Sequence, residues 1–174
     1  MAAVKLAAAC SVPYVRVFGN DLVTDNEEKE IADIAGAIRA LCETARPYGV
    51  DILLEVHGDF NTGARILKTA DGVRCENFGI IWDIAHSRED PTRFWEQTKH
   101  LVRHVHIKDC TPEGLCPVGE GALPVAEIVR MLEKSGYTGY YSLEWEKRWH
   151  PELRDAAAEF PAYAEFMRRI LNHL

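Results

Sequence analysis

The sequence predicts an α/β fold of parallel strand–helix units, and two observations carry that expectation. Five short apolar runs alternate with stretches of helical periodicity along the 174 residues, the pattern of consecutive βαβ units. Four of those five runs end in a residue able to hold a metal ion, and in parallel α/β folds the ligand site lies at the carboxyl ends of the strands. A single domain over residues 1–174 is the expectation for this length.

The elements follow in order. A helix precedes the first strand, and the five strands fall at residues 14–18 (YVRVF), 52–55 (ILLE), 78–83 (FGIIWD), 102–107 (VRHVHI) and 140–144 (YYSLE). Between the first two, Ile31, Ile34, Ala35, Ile38, Leu41 and Cys42 recur at helical spacing behind an acidic first turn, and Pro47 with Gly49 stops the helix. Asp90 supplies an N-cap and Pro91 the first helical position of PTRFWEQTKHL. Pro124 opens VAEIVRMLEKS, which Gly136 closes. From residue 151 to about residue 174, a last amphipathic helix carries Phe160, Tyr163, Phe166, Met167, Ile170 and Leu171 on its apolar side. An open flavodoxin-like sheet of five strands is the competing architecture. It lacks its usual support, because the segment after the first strand, VFGNDLVTDN, holds one glycine and no phosphate-binding loop.

Composition narrows the class. With 47% hydrophobic and 27% charged residues the chain reads as a globular domain. No apolar run approaches the ~18 to 20 residues of a membrane span, and the start is not that of a signal peptide, so a cytoplasmic location is expected. Five scattered cysteines without a CxxC pair indicate neither a disulfide framework nor a cysteine zinc site, and read as small buried or semi-buried thiols. A net charge of −7 gives no footprint for nucleic acid or an anionic membrane. A small substrate, neutral or bound through a metal, fits better.

The candidate ligands are Glu55, Asp83, His106 and Glu144. One strand-end carboxylate is ordinarily a cap or an ion-pair partner. Four at one barrel height turn inward to one point, because strand side chains alternate. Three carboxylates brought together repel unless a cation neutralises them. Carboxylate oxygens with one imidazole and no thiolate suit one divalent Mn²⁺, Mg²⁺ or Co²⁺ better than structural zinc. Around them, His57 faces either the pocket or solvent, and His104 is a hydrogen-bonded core histidine or a deeper ligand. Lys108 meets a substrate oxygen or phosphate, or pairs with Asp109 or Glu144. Arg16 points inward from the first strand to neutralise a carboxylate. Trp145 and Trp149 wall the pocket or pack as aromatic cover.

LLEVHG (53–58), IIWDIAH (80–86), RHVHIKD (103–109), VGEGALP (118–124) and GYTGYYSLEWE (136–146) together resemble the xylose-isomerase-like sugar isomerases and epimerases, among them inosose dehydratases and ketose 3-epimerases. The resemblance implies a TIM-type (β/α)8 barrel, of which the chain holds the counterparts of strands four to eight as one incomplete barrel domain. It further implies a metal on Glu55, Asp83, His106 and Glu144, a substrate contact at His86, and an acid/base pair in Glu55 and Glu144. A cation that polarises a carbonyl and its neighbouring hydroxyl eases removal of the α-proton by a carboxylate. Two departures narrow the group. Pro112 stands where ketose 3-epimerases carry an arginine, six residues beyond the metal histidine, and no Asp-x-His pair follows His106 as it does in the related apurinic endonucleases. The functional expectation is a metal-dependent sugar or polyol isomerase or epimerase. The alternative is a metal-retaining barrel fragment that serves in binding or assembly. Strands 14–18 and 140–144 lack the neighbours of a closed barrel, so a homodimer or larger assembly through open edges is expected.

Overall fold

The computed structural model describes residues 1–172; His173 and Leu174, to which the sequence extends the last helix, lie outside the described residues. The chain divides into two compact units, one of Met1–Trp82 with His86–Arg103 and one of Asp83–Ala85 with the chain from His104 onward.

The first unit contains helix α1 (Ala2–Ala9), strand β1 (Tyr14–Val17), helix α2 (Glu27–Ala45), strand β2 (Asp51–Glu55), helix α3 (Gly63–Val73), all but the last residue of strand β3 (Phe78–Asp83), and helix α4 (Pro91–Thr98). Strand β1 runs parallel to β2 with Val15 opposite Ile52, and β2 runs parallel to β3 with Leu53 opposite Gly79. Helix α2 forms where the sequence places it. Asn26 Oδ1 accepts the Lys29 N–H at 3.0 Å, Glu27, Glu28 and Glu30 face the positive end of the helix dipole, and Ile31, Ala35, Ile38, Cys42 and Ala45 make the buried stripe. Leu41, expected on that stripe, is exposed. After a 3₁₀ turn at Arg46–Tyr48, Gly49 adopts a φ of 65°, the left-handed conformation that stops the helix. Helix α3 carries its own cap, Thr62, whose hydroxyl accepts the Arg65 N–H at 3.4 Å, and it buries Ile66, Thr69 and Val73. In α4 the Asp90 cap accepts the Arg93 N–H at 3.0 Å with Pro91 in the first turn, as the sequence indicates. The core gathers Leu53, Leu54, Phe60, Ile80, Trp82 and Phe94, all buried. Gly79 has a reason to be glycine: a Cβ there would stand 2.9 Å from the Leu101 carbonyl oxygen.

The second unit is built on the end of β3, on strand β4 (Val102–Ile107) from His104, and on strand β7 (Tyr141–Leu143), with a hairpin of strands β5 (Asp109–Thr111) and β6 (Gly114–Cys116), helix α5 (Val125–Lys134) and helix α6 (Ala156–Leu171). Strand β4 runs parallel to β7 with His106 opposite Ser142, and Ile84 N–H donates to the His106 carbonyl at 3.4 Å. The sequence does not announce the hairpin, since its strands are three residues each and turn at Gly114, φ 137°. Helix α5 buries Val125, Ile128, Val129 and Leu132, and Gly136 follows it with φ 78°. Helix α6 begins at Ala156 rather than near residue 151, and Phe160 and Leu171 are exposed instead of turned inward, while Met167 and Ile170 are buried.

The sheet order is β1-β2-β3-β4-β7, the order of the sequence. A flavodoxin-like sheet would place its first strand between later ones, so the expected (β/α)-barrel repeat of five parallel strands is what forms. Strand β1 ends one residue short of the expected 14–18 and β7 is trimmed at both ends of 140–144. Among the described residues no helix is long and apolar enough to cross a membrane, and the five cysteines are free thiols.

Candidate metal centre

In the second unit, Asp83 ends β3, His106 lies in β4 and Glu144 follows β7 directly. Register brings them together. With His106 opposite Ser142, Glu144 stands two residues further along the same side, and the bond from Ile84 N–H to the His106 carbonyl sets the end of β3 alongside. Each of the three offers a ligand atom within 4.8 Å of the others. His106 Nδ1 lies 3.4 Å from Glu144 Oε2.

A fourth side chain of the unit neutralises the acids. The Lys108 ammonium stands 3.0 Å from Asp83 Oδ2, 2.8 Å from Glu144 Oε2 and 2.9 Å from Glu146 Oε1. Of the two ion-pair partners that the sequence offers this lysine, the pairing is with Glu144 and not Asp109. The other oxygen of Asp83, Oδ1, accepts the Ala85 N–H at 2.9 Å. Burial lifts the Asp83 carboxyl to about 6 against the pull of Lys108 and of that N–H. Burial also works to raise Glu144, but hydrogen bonds from His106 and Lys108 and the charge of Lys108 outweigh it and hold that carboxyl well below the usual range. Burial alone would lower the lysine, yet Asp83, Glu144 and Glu146 together raise it above an ordinary lysine.

In the first unit, Glu55 ends β2 with its side chain buried, and Arg16 Nη1 reaches its Oε2 at 2.9 Å. That is the neutralising role read for Arg16 from the sequence, played by a side chain that is 41% exposed rather than enclosed. The Arg16 guanidinium lies 4.7 Å above the Phe18 ring, the His57 ring meets Phe18 edge-on at 5.3 Å, and His57 stands 4.0 Å from His86. His57 and His86, named separately in the sequence, are thus one pair of rings in tilted contact.

His104 Nε2 bonds Ser142 Oγ at 2.8 Å, the core role rather than the ligand role. Trp145 Nε1–H donates to the Arg154 carbonyl at 2.9 Å, and Trp149 is exposed. One acid, Glu146, and the role of another, Asp109, are not read from the sequence. Glu146 stands two residues beyond Glu144, and that spacing was its signal. Asp109 is buried and accepts backbone N–H groups from Cys110, Gly119, Gly121 and Leu123 at 2.9 to 3.1 Å, tying the loop of residues 117–124 to the hairpin. The donor chemistry of Asp83, His106 and Glu144, hard oxygens with one imidazole around a position that already draws a cation, fits a divalent ion.

Comparison with known proteins gives a concordant result. The family model described as xylose isomerase-like TIM barrel matches residues 1–170. An inosose isomerase of Halalkalibacterium halodurans is 26% identical over 173 residues, covering 89% of this chain and 60% of the relative. An inosose dehydratase of Clostridium botulinum is 25% identical over 146 residues, covering 69% of this chain and 48% of the relative. The chain therefore spans about 60% or less of the length of these curated relatives. The solved structure of a D-tagatose 3-epimerase-like protein superposes with a TM-score of 0.79 at 24% identity, covering 98% of this chain and 68% of that one, and so shares the fold.

Proposed function

Because the chain belongs to the xylose isomerase-like TIM barrel family, we propose that it carries the metal-binding strand ends of an isomerase or epimerase acting on a sugar or cyclic polyol. The observation that carries this reading is the meeting of Asp83, His106 and Glu144 at the carboxyl ends of their strands. Glu55 completes the ligand set as the fourth strand-end donor. A divalent cation, Mn²⁺, Mg²⁺ or Co²⁺, supplies Lewis acidity to a carbonyl and its neighbouring hydroxyl when bound. Glu55 and Glu144 move the proton, one removing it from the carbon beside the carbonyl and the other returning it. His57, His86 and Lys108 hold substrate oxygens. The inosose isomerase and dehydratase among the relatives favour a cyclic polyol ketone as substrate class.

Metal analysis and titration of the purified chain should find about one Mn²⁺, Mg²⁺ or Co²⁺ per chain, with Asp83→Ala and Glu144→Ala weakening binding beyond the ~100-fold that loss of an outer partner costs. Variants that bind as tightly as the parent would remove these residues from the site. In D₂O, a substrate found by screening ketoses and inososes should gain deuterium beside its carbonyl, and Glu55→Gln and Glu144→Gln should abolish that exchange while remaining folded. Retained turnover in both variants takes the two carboxylates out of the mechanism. A second reading, a metal-retaining module that acts in assembly, draws on the terminal places of β1 and β7 in the strand order. It predicts metal binding with no turnover across the same panel.

A further inference from the structure

Lys108 is 4% exposed, and its ammonium has three carboxylates within 3.0 Å. Two of them, Asp83 and Glu144, belong to the candidate metal set, and the third, Glu146, does not. On Asp83 one oxygen already accepts the Ala85 N–H, and the other, Oδ2, is the one Lys108 holds. On Glu144 the oxygen facing His106 Nδ1 is also the one held by Lys108. An entering cation therefore meets the ammonium on the oxygens it needs. Two positive charges sharing those oxygens in a buried site repel strongly, so joint occupancy is disfavoured. Glu146 offers the lysine an alternative hold: its side chain is 30% exposed, at the rim of the cluster.

Resting on the metal reading above, we propose that Lys108 is the resident counter-ion of the site: its ammonium occupies Asp83 and Glu144 in the metal-free chain, a divalent cation displaces it, and Glu146 retains it afterwards. The ammonium and the metal are then competing ligands of the same carboxylates, which sets the metal affinity below what the carboxylates alone would give.

Titration calorimetry with Mn²⁺ on the purified chain, paired with thermal melts in chelator and in saturating Mn²⁺, tests this. Lys108→Met should bind Mn²⁺ about tenfold tighter or more, melt below the parent in chelator, and recover part of that difference with Mn²⁺. Glu146→Gln should bind Mn²⁺ several-fold more weakly, because the lysine then has only the metal carboxylates to hold. Should Lys108→Met fail to fold, Lys108→Gln and the parent's own Lys108 ammonium ¹⁵N resonance, which should shift on adding one equivalent of diamagnetic Mg²⁺, carry the test. Unchanged or weaker affinity in the lysine variants, or an ammonium resonance indifferent to Mg²⁺ that binds, overturns the counter-ion role while leaving the metal reading standing. Absence of binding in the parent and in every variant overturns the metal reading, and the counter-ion role with it.

Discussion

Asp83 and Glu144 share one ammonium and are driven in opposite directions. Asp83 is fully buried at its side chain and is lifted to about 6. Because that lies above its ordinary 3.8, its contribution to stability is complete below the unfolded value and fades as pH rises through the folded one. Glu144, held below its ordinary 4.5, contributes above that value and loses the contribution only as pH falls under it. The metal-free chain should therefore gain about 1 kcal/mol on Asp83's account between about pH 7.5 and about pH 5. Urea denaturation of parent and Asp83→Asn at the two pH values measures it, and an equal pH response in both would rule the carboxyl out as the source. Thiol chemistry gives a second residue-level expectation. Burial pushes Cys42 up to about 12, so it should resist alkylation in the native protein, whereas exposed Cys10 should react. Peptide mapping after iodoacetamide treatment distinguishes the two. At this scale the sequence shows Glu55, Asp83, His106 and Glu144 because each stands at a strand end. It hides the role of Asp109, three of whose partners come from a loop ten or more residues away that only folding brings near.

Among the elements, legibility follows the strength of local signals. Helices α2 and α4 announce themselves through Asn26 and Asp90, α5 through Pro124 and Gly136 on either side of an apolar period, and all begin where the sequence puts them, though α4 stops at Thr98 rather than running on to Leu101. Helix α3 has a Thr62 cap but only three well-spaced large or branched residues, too few to stand out from the surrounding polar stretch. The β5–β6 hairpin is stabilised by a side chain outside its own turn. Asp109 holds the loop of residues 117–124 through three N–H groups besides that of Cys110. Asp109→Ala removes the buried acceptor of these four N–H groups, whose own residues are half-buried or, at Gly119, exposed, and should cost about 1 to 3 kcal/mol. Gly121→Ala should also destabilise, because its new Cβ would fall 2.0 Å from Asp109 Oδ1. Chemical denaturation of the two variants checks both, and a parent-like midpoint for Asp109→Ala would show that the loop is held by other means.

For the whole molecule, the alternation of apolar runs with helical periods was enough to give five parallel strands in sequence order, because each unit needs only its neighbours to form. What a barrel's remaining circumference would supply is not encoded in those local patterns. In the strand order β1 has β2 as its neighbour and β7 has β4, and unpaired strand edges recruit other chains. Sedimentation velocity at low micromolar concentration should show a dimer or larger assembly, with edge amides of β1 and β7 protected from hydrogen exchange. A monomer whose edge amides exchange freely would remove that expectation.

The lysine buried among acids also bears on the order of events when the protein is made. Many small metal-dependent domains fold only as their ion arrives, because its binding both supplies the folding free energy and neutralises the ligands. Here the polypeptide supplies that neutralisation from residue 108, two positions after the imidazole it assists. With Lys108 as that counter-ion, a newly made chain would not have to wait for an ion to reach its native structure. Scarcity of metal would then leave a reserve of folded molecules awaiting loading, rather than unfolded ones exposed to proteolysis.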